Sequence, residues 1–206
     1  SNHVLQAGGA LTLWVTNYLD DGSLSNSVDV ITNRNIWNAG YGINLPLLPP
    51  RASLLGTTIT NTAAASVNTP NRWASKDLGC RPGGFVNNAA LGRLILDGAT
   101  AASGFTFQCV NGTNALYVDQ LEFRNATTNF SAGSLPETWN VRGVTLASNF
   151  TIYYGDAIVN GGSVARKLNG GYGVTATTGG RFCWVSNYNT GFFSSTNVPY
   201  ADGRGT

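Results

Sequence analysis

Ten carboxylic acids punctuate this 206-residue chain: Asp20, Asp21, Asp29, Asp77, Asp97, Asp119, Asp156, Asp202, Glu122 and Glu137. Glycoside cleavage needs two carboxylates facing across one bond. Asp97, Asp119 and Glu122 lie on or beside adjacent predicted strands, where they could converge. Lyase chemistry asks instead for a base such as Arg or Lys, with Ca²⁺ held by several Asp, and Arg93 and Arg124 fall near enough in sequence to serve. The simpler reading makes these charges a solvated outer face. Asp119 and Glu122 also differ in strand parity, so a shared face does not follow from spacing. Asp20-Asp21-Gly22 reads as a turn. No residue is assigned here as catalytic, as a metal ligand or as a cofactor ligand.

His3 is the single histidine and stands two residues from the start. A His-based triad, a zinc site with several imidazoles and a haem pocket are therefore excluded as readings. Cys80, Cys109 and Cys183 match no zinc or redox spacing, which leaves three buried thiols or one disulfide with a leftover thiol. Four glycosylation sequons begin at Asn111, Asn125, Asn129 and Asn149. Their number is what chance gives in so Asn-, Ser- and Thr-rich a chain, but all lie between 111 and 151. Tyr153-Tyr154 and Trp184 with Tyr188 could stack on a sugar, although core packing accounts for them more economically. Gly161-Gly162 and Gly170-Gly171-Tyr172-Gly173 lack the strand–turn–helix setting of a phosphate loop and read as turns.

The elements that must position these groups are strands. Charged residues are only 11 % of the chain, against roughly 25 % in soluble domains, and Asn, Ser and Thr supply polar surface instead. The net charge of +2 excludes a strong electrostatic nucleic-acid binder. The longest apolar runs, such as Leu94 to Leu96, are far too short to span a bilayer. No twelve-residue stretch keeps a helical apolar pattern, whereas period-two alternation recurs, as in Leu11-Thr12-Leu13 and Phe105-Thr106-Phe107. The expected fold is all-β, in one domain over residues 1–206, with irregular loops at 45–51 and 61–84 where prolines cluster. Lacking an initiating Met, the chain reads as a mature form or as a fragment of a longer one.

Several of these strands end in Asn: Ile31-Thr32-Asn33, Ile59-Thr60-Asn61, Phe85-Val86-Asn87, Cys109-Val110-Asn111 and Ala147-Ser148-Asn149 among them. Many of the intervals fall between 24 and 28 residues, about one coil of a stacked solenoid. A right-handed parallel β-helix is the leading expectation, and an antiparallel β-sandwich or barrel the alternative.

Leu94-Ile95-Leu96-Asp97-Gly98, followed by Phe105-Thr106-Phe107, and Leu116 to Asn125 have the cadence of β-helix coils. Phe85-Val86-Asn87-Asn88 matches a Phe-x-x-Asn motif and Gly8-Gly9-Ala10-Leu11 a Gly-Gly-Ala-aliphatic motif. On these residues the chain resembles the pectin-lyase-like β-helix group, especially repeats of polymorphic outer-membrane and algal cell-surface proteins. The resemblance implies an extracellular fold with structural or adhesive use, read here as part of a larger surface assembly and, on its sequons, as a glycoprotein. Its partners would be other surface proteins or copies of itself, with carbohydrate as a further ligand. The alternative enzyme would be a polysaccharide lyase or glycoside hydrolase of β-helix type. Ala10-Leu11-Thr12-Leu13-Trp14 is similar to the opening of adenovirus fibre heads, which implies a trimeric receptor-binding sandwich. Coils of 24–28 residues would bring Cys80 and Cys109 close enough for a disulfide.

Overall fold

A computed structural model describes residues 4–7, 11–12, 36–39, 43–45, 54–63, 68–73, 75–86, 88, 90–100, 102–109, 114–130, 139–169, 180–189, 191 and 193. Strand makes up 57 % of them, so the class is all-β. The strands are β1 (Val4–Ala7), β2 (Leu11–Thr12), β3 (Ile36–Ala39), β4 (Ile43–Leu45), β5 (Leu54–Thr62), β6 (Asn68–Trp73), β7 (Ser75–Lys76), β8 (Leu91–Asp97), β9 (Gly104–Cys109), β10 (Asn114–Arg124), β11 (Thr128–Phe130), β12 (Trp139–Val141), β13 (Val144–Leu146), β14 (Phe150–Val159), β15 (Gly162–Ser163) and β16 (Arg181–Trp184). A 3₁₀ turn at Pro82–Phe85 and a short helix, α1 (Ala165–Leu168), complete the described elements.

The larger sheet runs β1-β3-β5-β8-β10-β14, with β16 beyond β14, and the smaller runs β2-β4-β6-β9-β13. Every pairing along these two paths is parallel. From β1 to β6 the chain visits the two sheets alternately, and it does so again through β8, β9, β10, β13 and β14. A parallel pair needs a long crossover, and from β1 to β14 each crossover contains a strand of the other sheet, while the one from β14 to β16 carries β15 and α1. Antiparallel pairing among the described strands is confined to β7 on β10, β15 on β14, and the β11–β12 hairpin.

Register sets the spacing. Ile59 lies beside Leu94, Leu94 beside Leu121, and Leu121 beside Ala157, so these steps are 35, 27 and 36 residues. Most exceed the expected 24–28, because the connections carry extra segments: residues 77–86 before β8 and the β11–β12 hairpin before β13. The Asn strand endings do not mark this register. Asn61 is opposite Leu96, and its side chain instead donates to the buried Asn71 at 2.9 Å. The segment expected to be irregular from 61 to 84 holds β6 and β7. Pro70 is accommodated within β6, opposite Thr106. Proline has no N–H to give there, and the neighbouring Asn71 side-chain amide donates to the Thr106 carbonyl at 3.4 Å. In the other expected loop, Leu45 closes β4, and residues 46–51 lie outside the described residues, as do Asp20-Asp21-Gly22 and Val28 to Asn33.

The main core lies where the two sheets face each other. Leu94, Leu96, Leu121 and Phe123 from the larger sheet meet Phe105, Phe107, Val144 and Leu146 from the smaller. Burying each such side chain contributes about 1.5–3 kcal/mol. On β10 the core-facing residues are Leu116 and Val118, then Leu121 and Phe123. The three-residue step breaks period-two alternation, so the strand bends at Asp119-Gln120. The same break falls at Gly92-Arg93 on β8 and at Gly155-Asp156 on β14, and register places the three breaks side by side.

The outer face of the larger sheet carries a second core of Phe85, Ala90, Ala115, Tyr117, Tyr153, Val185 and Tyr188. Tyr117 and Tyr153 are register partners and their rings stack at 4.6 Å. Segment 77–86 lies over them as a strap. The Tyr117 hydroxyl donates to Gly79 O at 2.8 Å and accepts from Leu78 N at 2.9 Å, while Tyr153 donates to Asp77 Oδ1 at 2.8 Å. Phe85 packs edge-on to Tyr117 and flat on Tyr188. Gly84 lies so close that a Cβ would fall inside the Tyr117 ring, whereas a Cβ on neighbouring Gly83 would meet open space. Gly84→Ala should therefore cost about 1–3 kcal/mol by overpacking and Gly83→Ala less than 0.5 in magnitude, roughly the surface-substitution range. Urea unfolding of the two variants measures the difference.

Candidate functional site

The outward residues after the bend in β10 are Gln120, Glu122 and Arg124, and they build the densest polar cluster among the described residues. Register sets Ile95 beside Glu122, with Arg93 one outward position away on β8. The Arg93 Nη2 therefore reaches the Glu122 Oε2. Arg124 supplies Nε to Oε1 at 2.6 Å and Nη2 to Oε2 at 3.2 Å. The Glu122 side chain is only 9 % exposed, against 46 % for Arg124, so the carboxylate lies under the guanidinium groups. Burial works to raise the Glu122 carboxyl, but hydrogen bonds and charge from Arg124 and Arg93 outweigh it, and the group stays below the usual range.

Beside this cluster, at the ends of the strands, runs a column of turns. Asp97-Gly98, Arg124-Asn125 and Asn160-Gly161 follow β8, β10 and β14, with positive φ at Gly98, Asn125, Asn160 and Gly161. Asn-Gly is suited to such a turn, since Asn tolerates the left-handed region and Gly has no Cβ to clash. The Asn125 side chain donates to Asp97 Oδ1 at 2.7 Å. The Asn160 side chain accepts from Ala126 N at 3.0 Å and donates to Ala126 O at 2.9 Å. Glu122, Arg124, Asn125, Asn160 and Gly161 line an open groove of about 530 Å³. Its half-exposed Arg124 fork suits a polar or anionic group, in the way guanidinium recognises carboxylate.

Of the acids expected to converge, Asp97 and Glu122 do come together around Arg124, which feels the charge of both. Asp119 does not. It sits in the bend, fully buried, and accepts from Phe193 N at 2.6 Å. Arg93 and Arg124 both serve Glu122. Sequence reading missed Asp156, a buried carboxylate at the bend in β14. It accepts from Gln120 Nε2 at 3.2 Å and from Ala157 N at 2.8 Å. Burial raises its carboxyl, and those two hydrogen bonds only partly oppose the rise. Its signal was Gly155-Asp156 interrupting an otherwise apolar strand.

The remaining candidates are placed as follows. Asn125 and Asn149 are exposed, Asn129 is in β11, and Asn111 lies outside the described residues. Tyr153, Tyr154 and Tyr188 are buried, so they form core and not an open sugar platform. No disulfide joins Cys80 to Cys109. Register sets Cys109 beside Trp73, and its thiol donates to Asn149 O at 3.4 Å, while the Cys80 thiol donates to Trp184 O at 3.2 Å. The long first connection carries Cys80 to the outer face, away from β9.

Glu122 and Asp156 respond to pH with opposite signs. The lowered Glu122 contributes stability above the ordinary carboxylate range, about pH 4.3, and that contribution is lost as pH falls through its folded value. Glu122→Gln should cost about 1–3 kcal/mol at pH 7, a cost that vanishes in acid. The raised Asp156 is the reverse: its ionisation opposes folding as pH rises above about 3.9, the unfolded value. Asp156→Asn should therefore be more stable than the parent at pH 7, since it removes the ionisation that burial opposes. It should converge with the parent below about pH 3, where the carboxyl is neutral both folded and unfolded. Urea titrations at stepped pH read both.

A scan against protein-family models and searches of curated proteins and of solved structures each found no match, so the site is read from its own geometry.

Proposed function

We propose that this chain is an extracellular right-handed parallel β-helix with a structural or adhesive role in a larger surface assembly. The observation that carries this reading is the alternation of successive strands between two parallel sheets, with like side chains stacked in register. Such a layout suits a stacking solenoid, in which each coil buries its inward residues only against its neighbours. It lends nothing to an antiparallel sandwich or to the trimeric fibre head built on one. Among the described residues no further strand covers β1 and β2 at one end of the two ladders, or β13 and β16 at the other. An unpaired sheet edge templates pairing with another chain, and on this reading the partners are copies of itself or neighbouring surface proteins. The groove beside Arg124 is the place for a carbohydrate or other polar ligand. Glu122, with both oxygens engaged, is built to hold a surface together more than to transfer a proton.

One observation favours a second reading, a glycoside hydrolase or polysaccharide lyase. Asp156 is pushed toward its protonated form and Glu122 toward its ionised form, the division an acid and a base require. Incubation of the whole chain with pectins and uronate polymers, with and without Ca²⁺, separates the readings. We expect binding without turnover. Turnover that disappears in Asp156→Asn and Glu122→Gln would replace the adhesive reading with the enzymatic one.

A further inference from the structure

The outer face of the larger sheet carries one column of register partners, Tyr117 on β10, Tyr153 on β14 and Cys183 on β16. Each rung meets the strap that crosses it. Tyr117 bonds to Leu78 and Gly79, and Tyr153 to Asp77. Cys183 meets Cys80, the next residue of the same strap. The Cys80 sulfur also donates to the carbonyl of Trp184, which follows Cys183, at 3.2 Å. The strap thus reaches the third rung through the Cys80 thiol, which bonds the carbonyl next to Cys183.

We propose that Cys80 and Cys183 are a redox latch, closing to a disulfide that fastens strap 77–86 to β16. The step is a thiol–disulfide exchange with a small disulfide such as oxidised glutathione. Cys80 is exposed and attacks first, as a thiolate on one glutathione sulfur. The glutathione S–S bond breaks, a Cys80–glutathione bond forms, and one glutathione thiolate leaves. Cys183 then attacks the Cys80 sulfur, the mixed disulfide breaks, and the second glutathione leaves. Two protein thiols are oxidised, one glutathione disulfide is reduced to two thiols, and the protons pass from the cysteines to the departing glutathione.

The order of attack follows from the surroundings. Burial first, then the hydrogen bond and charge of Cys80, push the Cys183 thiol up to about 12, so it is a poor first nucleophile. Once Cys80 is a mixed disulfide, the last two of these influences are gone. Cys80 sits on a bend at the surface, outside any strand, with its thiol on the carbonyl next to Cys183. Cys109 takes no part, since its thiol lies against Asn149 on the other side of the fold.

The test uses the whole chain equilibrated in glutathione buffers of stepped potential, then alkylated and mapped by mass spectrometry without reduction. The expected result is a Cys80–Cys183 peptide, with Cys109 alkylated in the same molecules. Cys109→Ser should form the same link. The thermal midpoint of the linked form should rise by roughly 10 °C, because the bond closes a loop of about 100 residues, and dithiothreitol should reverse the rise. A peptide joining Cys109 to either partner, three alkylated cysteines in oxidised glutathione, or Cys80 stopping at the glutathione adduct would overturn the latch. An unchanged midpoint in the linked form would overturn its bracing role.

Discussion

The rest of the structure depends on the parallel register of β8, β10 and β14. Hydrogen bonding between these three strands sets Leu94, Leu121 and Ala157 in one row and Leu96, Phe123 and Val159 in the next. A slip of one residue would turn each row from the core to the outer face. The register also aligns the bends at Gly92-Arg93, Asp119-Gln120 and Gly155-Asp156. At that level the chain leaves strict alternation in all three strands, which is why two consecutive polar residues can avoid the core. Gly92 is required there: a Cβ would run into the backbone of Leu55 and the ring of Phe193.

Polar groups at the bends and strand ends are satisfied locally, and this shapes the chemistry available. Asp119 is bound by a backbone amide from far along the chain, and Asp156 by Gln120 and its own neighbour. Glu122 is enclosed by two guanidinium groups. Buried carboxylates held in this way resist both solvent and substrate. The arginine side of the ion pair and the turn column line the groove, where they can contact a ligand.

The outer face shows how a sheet in a weakly charged protein is covered on its second side. A strand column of Tyr117, Tyr153 and Cys183 presents polar tips on apolar bodies, and segment 77–86 answers each tip with a partner while Phe85 and Tyr188 fill the gap between. Burial raises both phenols above their ordinary values, so they stay neutral and keep donating. The strap is part of the packing on this side, and Gly84 is the point where it approaches the ring most closely.

Composition and alternation alone determined the β class, because Leu-Thr-Leu and Phe-Thr-Phe patterns suit only a pleated surface with one buried side. They also put Asp97, Asp119 and Glu122 on or beside adjoining strands, with Arg93 and Arg124 near in sequence, and of these acids Asp97 and Glu122 meet around Arg124. The spacing between register partners was not legible: it is set by insertions such as the 77–86 strap, which carry no periodic signal. The strand at Asn68–Trp73 was hidden by Pro70, whose missing donor matters only once its neighbours are known. That Cys80 does not pair with Cys109, and that Asp119 is covered by the Phe193 backbone while Glu122 turns to two arginines, were decided by tertiary structure. A three-residue break in one strand reverses the face of everything after it, and only packing against the second sheet reveals that the break is there.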